Sequence, residues 1–329
     1  MYQTFFPTFL LLVTFNFTAQ AVPIQKVDQK SKINFVSKNK NIQMTLKEKL
    51  KLLDQKQTGQ TDHFIFDLPV TYNHKVSYWI SYFQVKGKRF FRDWLEKSSK
   101  YMPYIQAELK KAGLPGDLGY MVMIESGFSA NAVSTAEAVG PWQFIRSTGK
   151  AYGLNQSFWL DERRDLEKST QGAIKYLQDL HKEFGSWYLV AASYNMGENG
   201  LRRQIKKHQT KDYWELVRRG ALPLETQEYV PKILAALMIA KAPNLYGFRN
   251  LNHEYPSKYE YVKAPSGTDL DLLADHVSIT RKSLRDINAE LLLGYVPRQV
   301  QYHWIRIPVG SLSVAQNFFR EQNKKFALD

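Results

Sequence analysis

Glu125 closes an apolar run, with Leu118, Met121, Val122 and Ile124 ahead of it in a stretch that reads Met121-Val-Met-Ile-Glu125-Ser-Gly-Phe128. A carboxyl at the edge of a hydrophobic interior loses hydration, which disfavours its charged form and raises its pKa. That is the state a general acid needs near neutral pH. Glutamate is otherwise a surface residue, so the assignment depends on the company it keeps. Ser134 stands nine residues on, and Gln143 eighteen on, within Gly140-Pro-Trp-Gln143-Phe144-Ile145. Two further stretches follow, Ala191-Ala-Ser-Tyr194-Asn195-Met-Gly197 and Pro223-Leu-Glu225-Thr-Gln-Glu228-Tyr229-Val-Pro231-Lys232. Their amides, hydroxyls and phenols are short, directional donors and acceptors suited to reading a polar ligand.

Cleaving a glycosidic bond takes an acid to protonate the leaving oxygen and, in most enzymes, a second carboxylate as nucleophile or base. Within the four stretches only Glu125 follows an apolar run, whereas Glu225 and Glu228 lie in polar company far along the chain. That asymmetry favours a mechanism with one carboxylate.

The four stretches, in this order and spacing, resemble the lytic transglycosylases of the goose-type lysozyme fold, nearest the branch typified by membrane-bound murein transglycosylase D. The resemblance covers roughly residues 64–243. It implies a mainly α, lysozyme-like (goose-type) helical catalytic domain acting on peptidoglycan glycan strands, without a cofactor. It also implies that Glu125 protonates the leaving oxygen and, now a base, takes the proton from the muramic acid 6-hydroxyl, leaving a 1,6-anhydro end. Ser134, Gln143, Phe144, Ile145, Tyr194 and Asn195 become substrate-binding candidates on the same ground. Glu225 and Tyr229 match positions that line the cleft, and Tyr194 is expected to hold either Glu125 or the substrate. One departure is Glu137, where the family has a small residue; it is either an exposed loop residue or a further carboxylate beside the cleft. Met196 and Ser193 are milder departures. A hydrolytic muramidase with Glu125 activating water, and a non-catalytic wall-binding protein, stand as alternatives.

Several elements must position these groups. From the N-cap Asn73, Val76, Trp79, Ile80 and Phe83 recur at helical spacing. Phe90–Leu95 and Met102–Ala112 read as a second and a third helix, the latter stopped by Gly113, and Asp117 reads as the cap of the short helix ending at Glu125. Gly140-Pro141 reads as the start of a helix running to Tyr152, with proline at its first position. Asp165 opens a long helix closed by Gly185, and helical patterns continue over Trp187–Tyr194, Leu201–Lys207, Tyr213–Arg218 and Thr226–Lys241. No alternating strand of useful length appears between Phe64 and Ala242. Beyond Pro243 the texture changes to a small β-α-α-β module over about 255–310, with Leu312–Phe326 as a terminal helix. Leu284-Arg-Asp-Ile-Asn288 and Ile305-Arg-Ile-Pro308 resemble a degenerate LysM domain, a fold that binds peptidoglycan in other proteins. The expected division is 61–245 for the catalytic domain and 255–329 for the LysM-like module.

The chain has 329 residues, Lys+Arg 45 against Asp+Glu 31, a formal charge of +14 and no cysteine. A negatively charged partner suits that balance, an acidic wall polymer among them. Residues 22–60 hold nine lysines against Asp28, Glu48 and Asp54, so much of the excess lies in a basic, mobile leader and not in a cleft. Residues 1–21 read as a secretory signal with an apolar run at Phe5–Phe17 and Ala19-Gln-Ala21 at the cleavage site, an uncleaved anchor being the competing reading. The absence of cysteine excludes disulfides, thiolate metal sites and a lipid-modified N-terminal cysteine. The expectation is therefore a periplasmic or secreted monomer without a stable membrane anchor. The histidines lack ligand spacing, no glycine-rich phosphate loop is present, and the leader lacks the fold signals of a nucleic-acid binder.

Overall fold

The computed structural model describes residues 66–256 and 258–326. The expected signal (1–21) and basic leader (22–60) lie outside the described residues. Among the described residues no helix is long and apolar enough to cross a membrane.

Helix α1 (His74–Gln84) starts where Asn73 accepts the backbone N–H groups of Lys75 and Val76, two donors the first turn otherwise leaves unpaired. It buries Val76, Ile80 and Phe83. The two helices expected next are a single one, α2 (Lys88–Lys111), which runs through Pro103 and keeps Phe91, Leu95, Met102, Ile105 and Leu109 on one buried face. That continuous stripe outweighs the helix-breaking tendency of one proline. Asp117 does not cap the helix of Glu125. It sits in a 3₁₀ turn (Gly116–Gly119), almost fully buried, where it accepts the Asp67 N–H and pairs with Lys241 at 2.7 Å. The short α3 (Tyr120–Ser126) follows, with Tyr120 to Met123 buried, and Gly127 ends it in the left-handed conformation. A side chain at Gly127 would also strike the Trp94 indole at 2.1 Å.

The next helix, α4 (Arg146–Ala151), begins five residues later than Pro141 suggested. Gln143 has φ +51°, which no helix continues through, and the segment before it is a clamped loop. Then come α5 (Leu166–Phe184, capped by Asp165), α6 (Trp187–Met196), α7 (Glu198–His208), α8 (Tyr213–Arg218) and α9 (Leu224–Lys241). Helix α9 is apolar nearly all round and passes through the middle of the first core, against α1, α3 and α6. Pro231 within it has no N–H for the Gln227 carbonyl. The buried Tyr213 hydroxyl lies 3.1 Å from that carbonyl and 3.0 Å from that of Thr226. This keeps the helix continuous where it carries the site.

The C-terminal part has the β-α-α-β order: β1 (Tyr259–Pro265), α10 (Leu270–His276), α11 (Arg281–Ile287) and β2 (Tyr302–Pro308), then α12 (Leu312–Phe326). The strands pair antiparallel, Val262 opposite Ile305 and Lys263 opposite Trp304. A second core of Val262, Ala264, Leu270, Leu273, Ile305, Ile307 and Phe318 fills the space between sheet and helices. The two cores are joined by polar contacts. The Asp161 N–H donates to the Glu290 carbonyl (2.9 Å), the Leu292 N–H to that of Trp159 (3.0 Å), and Arg306 to Asp165 (2.7 Å).

Candidate active site

Glu125 lies on the last turn of α3, half-buried, against the middle of α9. Loss of hydration pushes its carboxyl up to about 7. The Tyr229 hydroxyl donates a hydrogen bond to its Oε1, which favours the charged form; the nearby Glu225 charge opposes ionisation and Lys232 supports it. Glu125 is thus balanced near neutrality, able to hold a proton and to return one.

Helix α9 supplies these neighbours by phase. Glu225, Glu228, Tyr229 and Lys232 fall three or four residues apart and therefore share one face. Glu225 accepts from Asn195 Nδ2 (3.2 Å), whose Oδ1 in turn accepts from Thr226 Oγ1 (2.7 Å). Asn195 is held at both ends of its amide. Glu228 accepts from Trp79 Nε1 (2.7 Å) and pairs with Lys75. Lys232 stands 4.6 Å from the Trp79 ring centroid. Burial lowers its pKa, against the opposing pull of Glu225, Glu228 and Glu125.

The tyrosine that reaches Glu125 is Tyr229, whereas the sequence pointed to Tyr194. The Tyr194 hydroxyl donates to the Trp142 carbonyl at 2.6 Å. Burial and the Glu125 charge both hold the Tyr194 phenol protonated, well above its ordinary range. Its bond to Trp142 ties the loop 128–145 to α6. Ser126 Oγ donates to the Pro141 carbonyl (2.8 Å), and Trp142 Nε1, fully buried, to Thr170 Oγ1 (2.9 Å). Arg163, paired with Asp161 at 2.7 Å, donates to the carbonyls of Glu137 and Phe144. Gly140 completes the clamp at φ +85°, with the Arg163 carbonyl 1.9 Å from where a Cβ would stand. Gly140→Ala is therefore expected to lower stability by about 2 kcal/mol or more and to reduce activity with it. A thermal melt with an assay at one temperature checks both.

A cavity of about 460 Å³ is lined by Gln143, Phe144, Ile145, Tyr194 and Asn195, with Arg203 and Glu198 beyond, and Glu125 is not among its lining residues. Gln143 turns its amide inward, to the carbonyls of Gly140 (2.8 Å) and Ala132 (3.2 Å). Phe144 is buried and packs under Tyr194, with 6.3 Å between ring centroids. Ser134 accepts the Ala138 N–H (3.0 Å) and so shapes the loop. Glu137 is exposed at φ +58°, and the charges acting on Glu125 are those of Glu225 and Lys232. Lys232 escaped the sequence reading because lysine at the end of a motif looks solvated. The signal was its place one helical turn beyond Tyr229 and Glu228. Among the described residues no group of three or more histidines or acidic residues is placed to hold a metal.

Residues 102–217 match the family model described as Transglycosylase SLT domain. Over 210 residues the chain is 35% identical to membrane-bound lytic murein transglycosylase D of Escherichia coli strain K12, covering 62% of this chain and 46% of the relative. The same figures hold for the protein of that name in strain O6:H1. The chain thus spans about half the length of these relatives. Among solved structures, lytic transglycosylase Slt of Pseudomonas aeruginosa aligns at 19% identity and TM-score 0.35, over 46% of this chain and 25% of that one. The SLT match takes in Glu125, the clamped loop and α6, while α9 with Glu225, Tyr229 and Lys232 lies beyond it.

Proposed function

We propose that the protein is a peptidoglycan lytic transglycosylase, cleaving the β-1,4 bond between N-acetylmuramic acid and N-acetylglucosamine. The observation that carries this is a glutamate raised to about 7, held by one tyrosine, at the head of an SLT domain. Glu125 gives its proton to the glycosidic oxygen as the bond to the muramic acid C1 breaks. The substrate's N-acetyl group shares the positive charge left at C1. Carboxylate Glu125, favoured by Tyr229 and Lys232, then takes the proton of the 6-hydroxyl, whose oxygen closes on C1. Atoms balance without water, and Glu125 ends as it began.

A hydrolytic variant draws on one observation, the Glu225 charge acting on Glu125, since a second carboxylate can serve as base for a water. Digesting purified peptidoglycan and weighing the products separates the two. Anhydro ends support lytic cleavage, and products heavier by one water overturn it. Gln143, Tyr194 and Asn195 are assigned to the sugar and its N-acetyl group, and Ser134 and Glu137 to the rim. The chain would work in an exported compartment that contains the wall. The C-terminal β-α-α-β unit would be a LysM-like module forming a second domain.

Tyr229→Phe removes a hydrogen bond that favours the ionised Glu125, so the carboxyl should ionise about one unit higher. Activity needs the protonated form, so the alkaline limb of kcat/KM should move upward while the maximum falls. A pH profile checks this, and a limb that stays or moves down refutes the contact.

A further inference from the structure

Glu228 and Lys232 stand four residues apart on α9, glutamate first. That is the order in which the two side chains pair most readily along one helix. They do not pair. Among the described residues Lys232 forms no ion pair, and its ammonium lies instead 4.6 Å from the Trp79 ring centroid, within reach of a cation–π attraction. Both oxygens of Glu228 are taken from α1, which packs directly against α9. Lys75 Nζ pairs with Oε1, and Trp79 Nε1 donates to Oε2 at 2.7 Å. Lys75 and Trp79 are themselves one helical turn apart, so the two donors rise from one face of α1.

Trp79 thus meets both members of the unmade pair, Glu228 at its N–H and Lys232 at its ring. With side chains 20% and 26% exposed, Lys75 and Glu228 are only partly screened by solvent, and the indole adds a charge-assisted hydrogen bond to the same carboxylate. Facing the Glu125 carboxyl are Glu225, Tyr229 and Lys232 of α9 and the Tyr194 phenol of α6. Lys232 is the one cation in that set. Lys232 in turn feels the charges of Glu225, Glu228 and Glu125. An ion pair with Glu228 would cancel much of its field at Glu125. Lys75, Trp79, Glu228 and Lys232 all lie outside residues 102–217, the span of the SLT match.

We propose that Lys75 and Trp79 are positioning residues for the reaction at Glu125: by occupying both oxygens of Glu228 they deny it to Lys232 and leave the ammonium unpaired, so that its charge acts on the Glu125 carboxyl. The proposal rests on the reading of Glu125 as acid and then base. Once its proton has passed to the glycosidic oxygen, Glu125 is a carboxylate in a poorly hydrated place. An unpaired Lys232 stabilises that carboxylate, and a Lys232 neutralised by Glu228 would not. Helix α1 therefore acts on the chemistry through two other side chains, without touching Glu125 or the sugar.

The test follows the Glu125 carboxyl of the full chain by carbon-13 NMR titration, its signal assigned by its loss in Glu125→Gln. Lys75→Met frees Glu228 to draw Lys232 away, so Glu125 should titrate about half a unit higher. Trp79→Phe keeps a ring for Lys232 but loses the N–H, and should move the carboxyl the same way. Lys75→Arg keeps the pairing and should leave it near the wild type. Lys232→Met should also raise it, and adding Lys75→Met to that variant should change nothing further. If the two shifts add, Lys75 acts on Glu125 directly and the proposal is overturned, as it is if Lys75→Met leaves Glu125 where it was. The alkaline limb of kcat/KM on peptidoglycan should follow the NMR value, whereas damage to packing alone would lower activity at every pH. The proposed function has a separate readout. A chain whose Glu125 shifts as expected but which releases no anhydro ends keeps the role of α1 and loses the lytic reading.

Discussion

Glu125→Gln should abolish cleavage, by about a thousandfold or more, because in the proposed mechanism one residue supplies both the acid and the base and general acid–base catalysis contributes ~10²–10⁴ on its own. The same substitution should make the protein more stable above neutral pH. In the folded chain burial raises the carboxyl to about 7, from an ordinary value of 4.5. Below pH 4 the group is protonated in both states and contributes nothing. Between 4.5 and 7 the unfolded chain releases a proton that the folded chain keeps, so stability falls as pH rises. Above 7 the full penalty stands, at most about 3 kcal/mol and less where solvent reaches the carboxyl. Glutamine has the shape of the protonated acid without that penalty. Melts of the two proteins should therefore coincide near pH 4 and separate at pH 8, the variant melting higher. A variant that is less stable at pH 8 would mean that Glu125 is an ordinary paired carboxylate. The wild type should lose activity as pH rises past 7, over the range in which the proton is lost.

What the sequence showed and what it hid differ in the range of the forces involved. Asn73, Asp165 and Gly185 act within one helical turn, and their helices begin or end where those residues stand. The apolar run before Glu125 foretold its burial for the same reason. Gly140-Pro141 misled because proline suits a first helical turn, yet the loop there is shaped from afar. Ser126, Arg163, Thr170 and Tyr194 each bond to it from a different element, and together they hold Gln143 at positive φ. The choice between Tyr194 and Tyr229 depended on how α6 and α9 face α3. No local pattern records that packing. Lys232 and the inward-facing Arg306 were hidden in a similar way, since a charged residue looks solvated until its distant partners are known.

Arg306→Met should have the largest effect outside the cleft. Arg306 is 6% exposed, and its guanidinium lies within 2.7 Å of Asp165 and 3.3 Å of Glu290, both nearly fully buried, and 3.7 Å from Glu167. Burial disfavours its charge, but Asp165 and Glu290 outweigh that and hold it firmly protonated. Methionine fills a similar volume and leaves two buried carboxylates without their cation. Breaking a buried pair from one side costs about 3–5 kcal/mol, because the remaining charge is uncompensated. Asp165 also caps α5 and the Glu290 carbonyl accepts the Asp161 N–H, so the damage falls on the junction between the two cores. Calorimetry should show the transition moving down and the C-terminal part melting ahead of the helical part that carries Glu125. Neutralising the stranded partners in the same chain, as Arg306→Met with Asp165→Asn and Glu290→Gln, should recover most of the loss, since asparagine still caps a helix. If the triple variant is no more stable than the single, packing of the guanidinium stem and not its charge holds the two parts together.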